Sequence, residues 1–325
     1  MKAMLVDEQK NLVWSEVADP VIGEEEVLVK VRAAGVNRAD LLQRQGKYPS
    51  PPGCPEWMGL EIAGEIVKTG EKVTGWKSGD QVCALMGGGG YAEYAAVRQD
   101  MLMPVPKGLT MTEAAALPEA FATAYLNLFL EGHLTPGQTA FIPAGNSGLS
   151  AAAIPLAKAL GARVITTVRS DEKARLIEKL GADRIINSQW EDAAAVLAAE
   201  EQAGRPVNVS MDCLCGEMLG KSLPYMARGG YWIVISTLAG FETNIQLRPL
   251  LTKGLHLVGS TLRSRAPEFK AQLLSELVEK VWPKIESGEI NPSVYEVLPM
   301  EQAEEAHAIL QQGRNIGKVV LTVAL

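Results

Sequence analysis

"FIPAGNSGLSAAAIPLAKALGARVITTVRS", residues Phe141 to Ser170, decides the fold. An apolar run leads into a glycine-serine bend. An alanine-rich helical stretch follows, and the β-branched run Arg163–Val168 closes it. The pattern reads strand, tight turn, helix, strand. Similar runs flank it: TAFIPA from Thr139, RIIN (Arg184–Asn187), VNVSMDCL (Val207–Leu214), YWIVIS (Tyr231–Ser236) and LHLVGS (Leu255–Ser260). Helical stretches such as Asp171–Leu180, stopped by Gly181, and Trp190–Glu200 separate most of them. Strands that alternate with helices predict an α/β class: a doubly wound, six-stranded parallel sheet with helices on both faces.

The bend has the requirements of a dinucleotide turn: a sharp turn after the strand, free helical N–H groups aimed at phosphate, and a helix close to the sheet. The segment Gly145, Asn146, Ser147, Gly148, Leu149, Ser150 supplies it. Gly145 allows the bend and Gly148 a close helix start. Ser147 stands where a glycine is usual; its hydroxyl either donates to phosphate or caps the helix. Ser150 replaces the glycine of tight packing. Pro155, inside the helix, removes one hydrogen bond at roughly 3 kcal/mol and predicts a kink directed away from the phosphate end. At the end of the next strand an NAD site carries an acid for the ribose hydroxyl. Here the chain reads Val168-Arg169-Ser170, with Lys173 one turn on. Arg169 and Lys173 would attract a 2′-phosphate and Ser170 would add a hydrogen bond, so NADPH is the expected cofactor. Asp171 argues the other way unless it caps the next helix; Arg169 and Lys173 read alternatively as a solvated surface pair.

The rest of the chain sets limits. Its 325 residues suffice for two domains, with 47% hydrophobic and 21% charged residues and a formal charge of −7. Acids and bases are interspersed with no basic stripe, so neither nucleic acid nor an anionic membrane is expected as partner. The start, MKAMLVDEQKNLVW, lacks a signal-peptide core, and no run of about 18 apolar residues occurs. Cys54, Cys83, Cys213 and Cys215 fit neither a zinc knuckle nor a thioredoxin pair. Cys213 and Cys215 are expected on one face of a strand. Scattered thiols suit a reducing compartment, so a cytoplasmic location is expected.

The first third is β-rich: Glu26–Gly35, Glu61–Gly70, Asp80–Leu85 and Tyr91–Arg98. Thr110 and Glu113 form a capping box, and after Pro118 a helical period runs from Glu119 to Leu130. The tail predicts helices over Pro267–Ser287 and Met300–Gln312, then the strand GKVVLTV. The nucleotide domain is therefore inserted in a second domain.

With those elements placed, the chain resembles the zinc-free quinone oxidoreductase branch of the medium-chain dehydrogenases/reductases. The motifs are AAGVNRADLLQRQGKYPSPPG (Ala33–Gly53), GLEIAGEI (Gly59–Ile66), LPEAFATAY (Leu117–Tyr125), GSTLRSR (Gly259–Arg265) and NIGKVVL (Asn315–Leu321). Within the branch it is most similar to the zeta-crystallin-like, tumour-suppressor-inducible type. The resemblance implies a GroES-like catalytic domain over 1–118, completed by 260–325, a Rossmann domain over 119–259, NADPH, and a homodimer or homotetramer. It implies that Thr123 contacts the nicotinamide, and that Tyr48 lies near it. In the C-terminal pieces, Ser260, Thr261, Leu262 and Arg263, with Asn315 and Lys318, are expected to close over the nicotinamide and phosphates through backbone groups. Arg265 reads equally as a surface charge.

Zinc-dependent members carry Gly-His-Glu where this chain has Gly59-Leu60-Glu61, and a catalytic cysteine in the segment that reads Val36–Asp40 here. A catalytic zinc needs about three protein ligands. His133, His256 and His307 lie far apart in sequence, so no metal site is expected. Without a Lewis acid, alcohol oxidation is disfavoured. Hydride delivery to a quinone or an α,β-unsaturated carbonyl is easier, because charge spreads over the acceptor. It needs the reacting carbons about 3–3.5 Å apart, and donors near the developing oxyanion. Asn37, Tyr48 and Tyr91 are the candidate donors, with Tyr91 after the flexible run Gly87–Gly90 at the mouth. In the bland readings Asn37 fixes a turn, Tyr48 packs a loop, Tyr91 is a half-buried strand residue, Asp40 braces Asn37 and Cys54 is structural. Three functions remain open: a quinone reductase, a reductase of activated alkenes (Arg38, Arg44 and Lys47 are its only basic cluster), and a nucleotide-binding structural or regulatory protein with little turnover.

Overall fold

The computed structural model describes residues 1–324. They form two compact units, Thr123–Leu262 and Met1–Ala122 with the segment from Arg263 onward. The division falls within the helix Pro118–Tyr125 and after the edge strand His256–Gly259, against 118/119 and 259/260 in the sequence reading.

The Thr123–Leu262 unit holds a six-stranded sheet. Its spatial order is Arg184–Asn187, Arg163–Val168, Thr139–Ile142, Val207–Asp212, Met226–Val234, His256–Gly259, all pairs parallel. The inner strands are nearly continuous apolar runs because both faces are covered. Phe141, Ile165, Ile186, Leu197, Leu219 and Trp232 meet in the core. The chain winds outward from Thr139–Ile142, then returns to start again at Val207–Asp212. The strand order therefore reverses between those two strands, and ligands bind beyond the carboxyl ends of strands at such a point. The helix Gly148–Ala159 runs on past Pro155.

One strand ends earlier than its composition predicts. It stops at Asp212, whose carboxylate accepts from the backbone N–H of Leu214 (2.7 Å) and Cys215 (3.0 Å). Those bonds draw the chain into a turn with Cys215 at φ 58°. Cys213 and Cys215 thus lie beyond the strand, not on one face of it. Burial, then Asp212, pushes the Cys215 thiol up to about 12.

The other unit is built on Glu26–Gly35, which pairs antiparallel with Glu61–Thr69, Tyr94–Arg98 and Lys318–Thr322. Gln81–Leu85 and Leu102–Pro104 extend the sheet on one side. Val294–Pro299, parallel to Lys318–Thr322, extends it on the other. That strand and the hairpin Lys2–Val6 with Leu12–Glu16 are not visible in the sequence pattern. Thr110 caps Met111–Ala114 as expected, its hydroxyl accepting from Glu113 N–H. The tail helix divides into Pro267–Lys280 and Trp282–Glu286, with Pro283 preventing a continuous ladder at the break.

Candidate functional site

At the Rossmann bend, Ala144 has φ 57° and Gly145 is pressed against the next strand. A Cβ on Gly145 would lie 2.5 Å from Thr166 Oγ1 and 2.7 Å from Ile177 Cδ1, so only glycine fits. Ser147 is the helix N-cap, its Oγ accepting from Ser150 N–H at 3.1 Å. The Ser147 hydroxyl donates to Ser150 Oγ (3.0 Å), which donates to the Pro143 carbonyl (3.0 Å). Both hydroxyl protons are thus committed inside the turn, and Ser147 takes the capping role of its two readings. The serines tie the strand end to the helix start by side-chain bonds. The N–H groups of Gly148 and Leu149, in the first helical turn, have no intrahelical acceptor and are the natural anion donors, with Asn146 beside them.

At the end of the second strand, Ser170 caps Asp171–Ile177 and its Oγ accepts from Lys173 N–H. Asp171 is anchored sideways: Asn187 Nδ2 donates to its Oδ1 at 2.6 Å. Arg169 is exposed. Burial and then the nearby Arg169 charge lower the Lys173 pKa, which marks two cations close together. Beyond the edge strand, Ser260 N–H donates to Val234 O, while its buried Oγ has no hydrogen-bond partner among the described residues. Leu262 is buried and Thr261 exposed. Thr123 accepts through its carbonyl from Asn127 Nδ2 (2.7 Å), just before a π-helical turn at Leu126–Glu131. Sequence periodicity does not reveal that turn; such turns concentrate at functional sites. A capped helix start, the neighbouring Arg169 and Lys173 and an orphaned Ser260 hydroxyl fit a nicotinamide dinucleotide.

In the GroES-like unit, Asn37, Asp40, Glu61, Tyr91 and Lys318 converge, all but Asn37 buried. Lys318 Nζ donates to Val36 O (3.0 Å), Asn37 Oδ1 (2.7 Å) and Glu61 Oε1 (2.5 Å). An ammonium has three protons. All three are therefore engaged within the protein, and the buried Glu61 carboxylate has this ammonium as its counter-charge. Glu61 also accepts from Asn37 Nδ2 (3.0 Å) and Glu119 N–H (2.9 Å). Asn37 presents its amide to this pair, not outward. Asn315, also buried, donates to Gly317 O at 2.8 Å.

Tyr91 is enclosed within the same unit. Its phenol donates to Asp40 Oδ2 at 3.0 Å, and its ring is fully buried. The glycines before it are hydrogen-bonded rather than loose: Gly89 and Gly90 N–H donate to Trp57 and Gly59 carbonyls, and Gly89 O accepts from Trp57 Nε1. Gly59, at φ 105°, comes so near Gly90 that a Cβ would lie 2.5 Å from its Cα. Burial raises Asp40 to about 6 against the lowering pull of donors Asn37 N–H, Tyr91 and Gly59 N–H. Asp40 braces this turn. His307 packs edge-on against Tyr91 at 6.1 Å, and neither ring nitrogen has a hydrogen-bond partner among the described residues. Sequence reasoning gave it no such place.

Tyr48 lies in a different group. Its ring is 4.8 Å under the Arg263 guanidinium, and its carbonyl accepts from Arg263 Nη1 at 3.3 Å. Arg263 also donates to Gly87 O (2.7 Å) and Gln43 Oε1 (2.8 Å). Of the three candidate donors, Tyr48 alone has a hydroxyl uncommitted to a described partner. Among the described residues, no group of three or more His, Cys, Asp or Glu side chains could hold a metal ion. Nor is any helix long and apolar enough to cross a membrane.

Comparison with known proteins matches residues 148–279 to the zinc-binding dehydrogenase model and residues 23–107 to the alcohol dehydrogenase GroES-like domain. Quinone oxidoreductase of Mus musculus is 30% identical over 94% of this chain and 92% of its own. JamJ enoyl reductase, in its apo form, superposes with a TM-score of 0.86 at 28% identity, covering 99% of both chains. Mycobacterial Rv1454c complexed with NADPH gives 0.85 at 27% identity, again over 99% of both. The GroES-like sheet, the six parallel strands and these full-length likenesses agree, and the chain belongs to the medium-chain dehydrogenase/reductase family of oxidoreductases.

Proposed function

We propose that the protein is an NADPH-dependent, metal-independent quinone oxidoreductase. The observation that carries the cofactor choice is the Arg169–Lys173 pair at the end of Arg163–Val168, with Asp171 turned away onto Asn187. The bound dinucleotide supplies a hydride. Gly148 and Leu149 N–H hold its pyrophosphate; Asn146 and the backbone of Ser147 and Ser150 shape that turn. Arg169, Ser170 and Lys173 face the 2′-phosphate, and Ser260 Oγ supplies a polar contact. Thr123, Thr261, Leu262 and Asn315 complete the cofactor contacts.

Tyr48 donates its phenolic proton to the acceptor oxygen that gains charge, the kind of stabilisation that lowers such a barrier most. Asn37 and Tyr91 act indirectly, by bracing the GroES-like unit through the Glu61–Lys318 pair and Asp40. The donor set supports metal-independence: at the positions of the zinc ligands stand Leu60 and Val36–Asp40, and Glu61 is already ion-paired with Lys318.

A second reading, reduction of activated alkenes, draws on the likeness to an enoyl reductase. The test is one acceptor panel, quinones against enones and enoyl thioesters, run with NADPH and NADH after chelator treatment. NADPH oxidation by quinones supports the first reading, and enone turnover alone the second. Nucleotide binding with no turnover returns the protein to a structural or regulatory role.

We further propose a cytoplasmic homodimer. Four free cysteines suit a reducing compartment. The edge strand His256–Gly259 lies unpaired on one side, and in the same unit Phe241, Leu247 and Leu251 are exposed at 91%, 71% and 81%. An unpaired edge and exposed apolar side chains invite a second copy.

A further inference from the structure

Arg263 is 8% exposed, and its guanidinium makes four hydrogen bonds: to Gly87 O, Tyr48 O, Gln43 Oε1 and, at 3.4 Å, Ser50 Oγ. All four acceptors are uncharged. The cation is therefore desolvated without being neutralised by these partners, and the face of the Tyr48 ring lies against it. Gln43 in turn donates to Ser50 Oγ (2.9 Å) and Glu56 O (2.8 Å), so one planar fork gathers both ends of the loop that carries Tyr48.

We propose that Arg263 is a positioning residue for the acceptor: it fixes Tyr48 through backbone and ring, anchors it to Gly87 and Gln43, and strengthens its phenol as a donor. The assignment rests on the reading that Tyr48 meets the acceptor. It concerns the guanidinium, whose Nε and both Nη atoms are engaged within the protein, and is separate from any cofactor contact through the backbone of this segment. Two charged groups bear on the phenol besides burial, which raises its pKa: Arg263 lowers it and Glu119 raises it. A phenol held nearer its ordinary acidity is the better donor to a developing oxyanion. Lysine cannot replace this fork, because its ammonium is a point charge without the planar donor array.

The experiment compares wild type, R263Q, R263K, Y48F and Y48F/R263Q. It measures steady-state kinetics over the acceptor panel, NADPH affinity by tryptophan fluorescence, and the Tyr48 ionisation from tyrosinate absorbance with Y48F subtracted. R263Q is expected to lower quinone kcat/KM about tenfold, mainly through kcat, with NADPH affinity within about twofold of wild type. In the Y48F background the R263Q effect falls below about twofold, because the group being positioned is gone. R263Q also moves Tyr48 ionisation to higher pH, whereas R263K, which retains charge, moves it less. An equal R263Q factor in both backgrounds, a change confined to NADPH affinity, or an unmoved Tyr48 titration would overturn the proposal. If R263Q does not fold, R263K against Y48F/R263K carries the same comparison. If Y48F alone leaves all turnover intact, the acceptor reading fails, and the titration, which needs no turnover, upholds or overturns the clamp.

Discussion

Lys318 and Glu61 form a sealed ion pair, Nζ to Oε1 at 2.5 Å, with side-chain exposures of 4% and 0%. The pair joins the last strand, Lys318–Thr322, to the start of Glu61–Thr69, and Asn37 bonds to both partners. Removing one member strands a charge out of reach of water. K318M or E61Q should each cost about 3–5 kcal/mol. The double variant should recover about 1–3 kcal/mol relative to the sum. Urea unfolding of the four proteins checks this, and strict additivity would contradict it.

His307 gives the chain a defined acid sensitivity. Burial, then Arg44, lowers its pKa to about 3, and both nitrogens lack partners among the described residues. The unfolded chain takes up a proton near pH 6.5 and the folded chain does not. His307's share of stability is thus complete above 6.5 and declines as pH falls toward 3. At pH 5 the loss is about 2 kcal/mol. Asp40 runs the opposite way, being raised to about 6, so its ionisation weakens the fold as pH rises through that value. H307L should abolish only the first effect. The difference in unfolding free energy between wild type and H307L, measured from pH 8 to pH 4.5, isolates it.

Cofactor discrimination should reside in two side chains. R169A and K173A should each weaken NADPH binding about tenfold and leave NADH within about twofold, since a charge-assisted contact to phosphate is lost. Fluorescence titrations with both nucleotides test this. Equal losses for the two would remove the 2′-phosphate assignment.

The exposed sheet edge makes a fourth point accessible to mutation. A dimer through His256–Gly259 and the exposed apolar side chains of its unit should fail when charge replaces them. F241D/L251D should sediment as a monomer at concentrations where wild type is dimeric, with NADPH affinity within about twofold. Unchanged sedimentation would place the interface elsewhere.

The alternation of strand and helix made the Rossmann sheet readable, since period and punctuation there are local. Glu26–Gly35 was equally plain for its alternating apolar positions. Val294–Pro299 was hidden because its residues alternate weakly and it exists by pairing with Lys318–Thr322. The candidate site was legible as residue names, less so as roles. Nothing near Tyr91 in sequence announces Asp40, 51 residues away, as its partner. Nothing in the sequence around Lys318 announces Glu61 as the partner of its ammonium. Ser147 is an open alternative in the sequence for the same reason: a hydroxyl's partner is a matter of three-dimensional neighbours, not of type.

The pairing of Val320–Thr322 with Ala33–Gly35 has a consequence for how the polypeptide matures. The GroES-like sheet is closed by residues synthesised after the whole Thr123–Leu262 unit, and the counter-charge for Glu61 arrives only with them. The Rossmann unit is continuous in sequence and is complete much earlier. It therefore folds first during synthesis, although it begins second, while the amino-terminal third waits for its final strand.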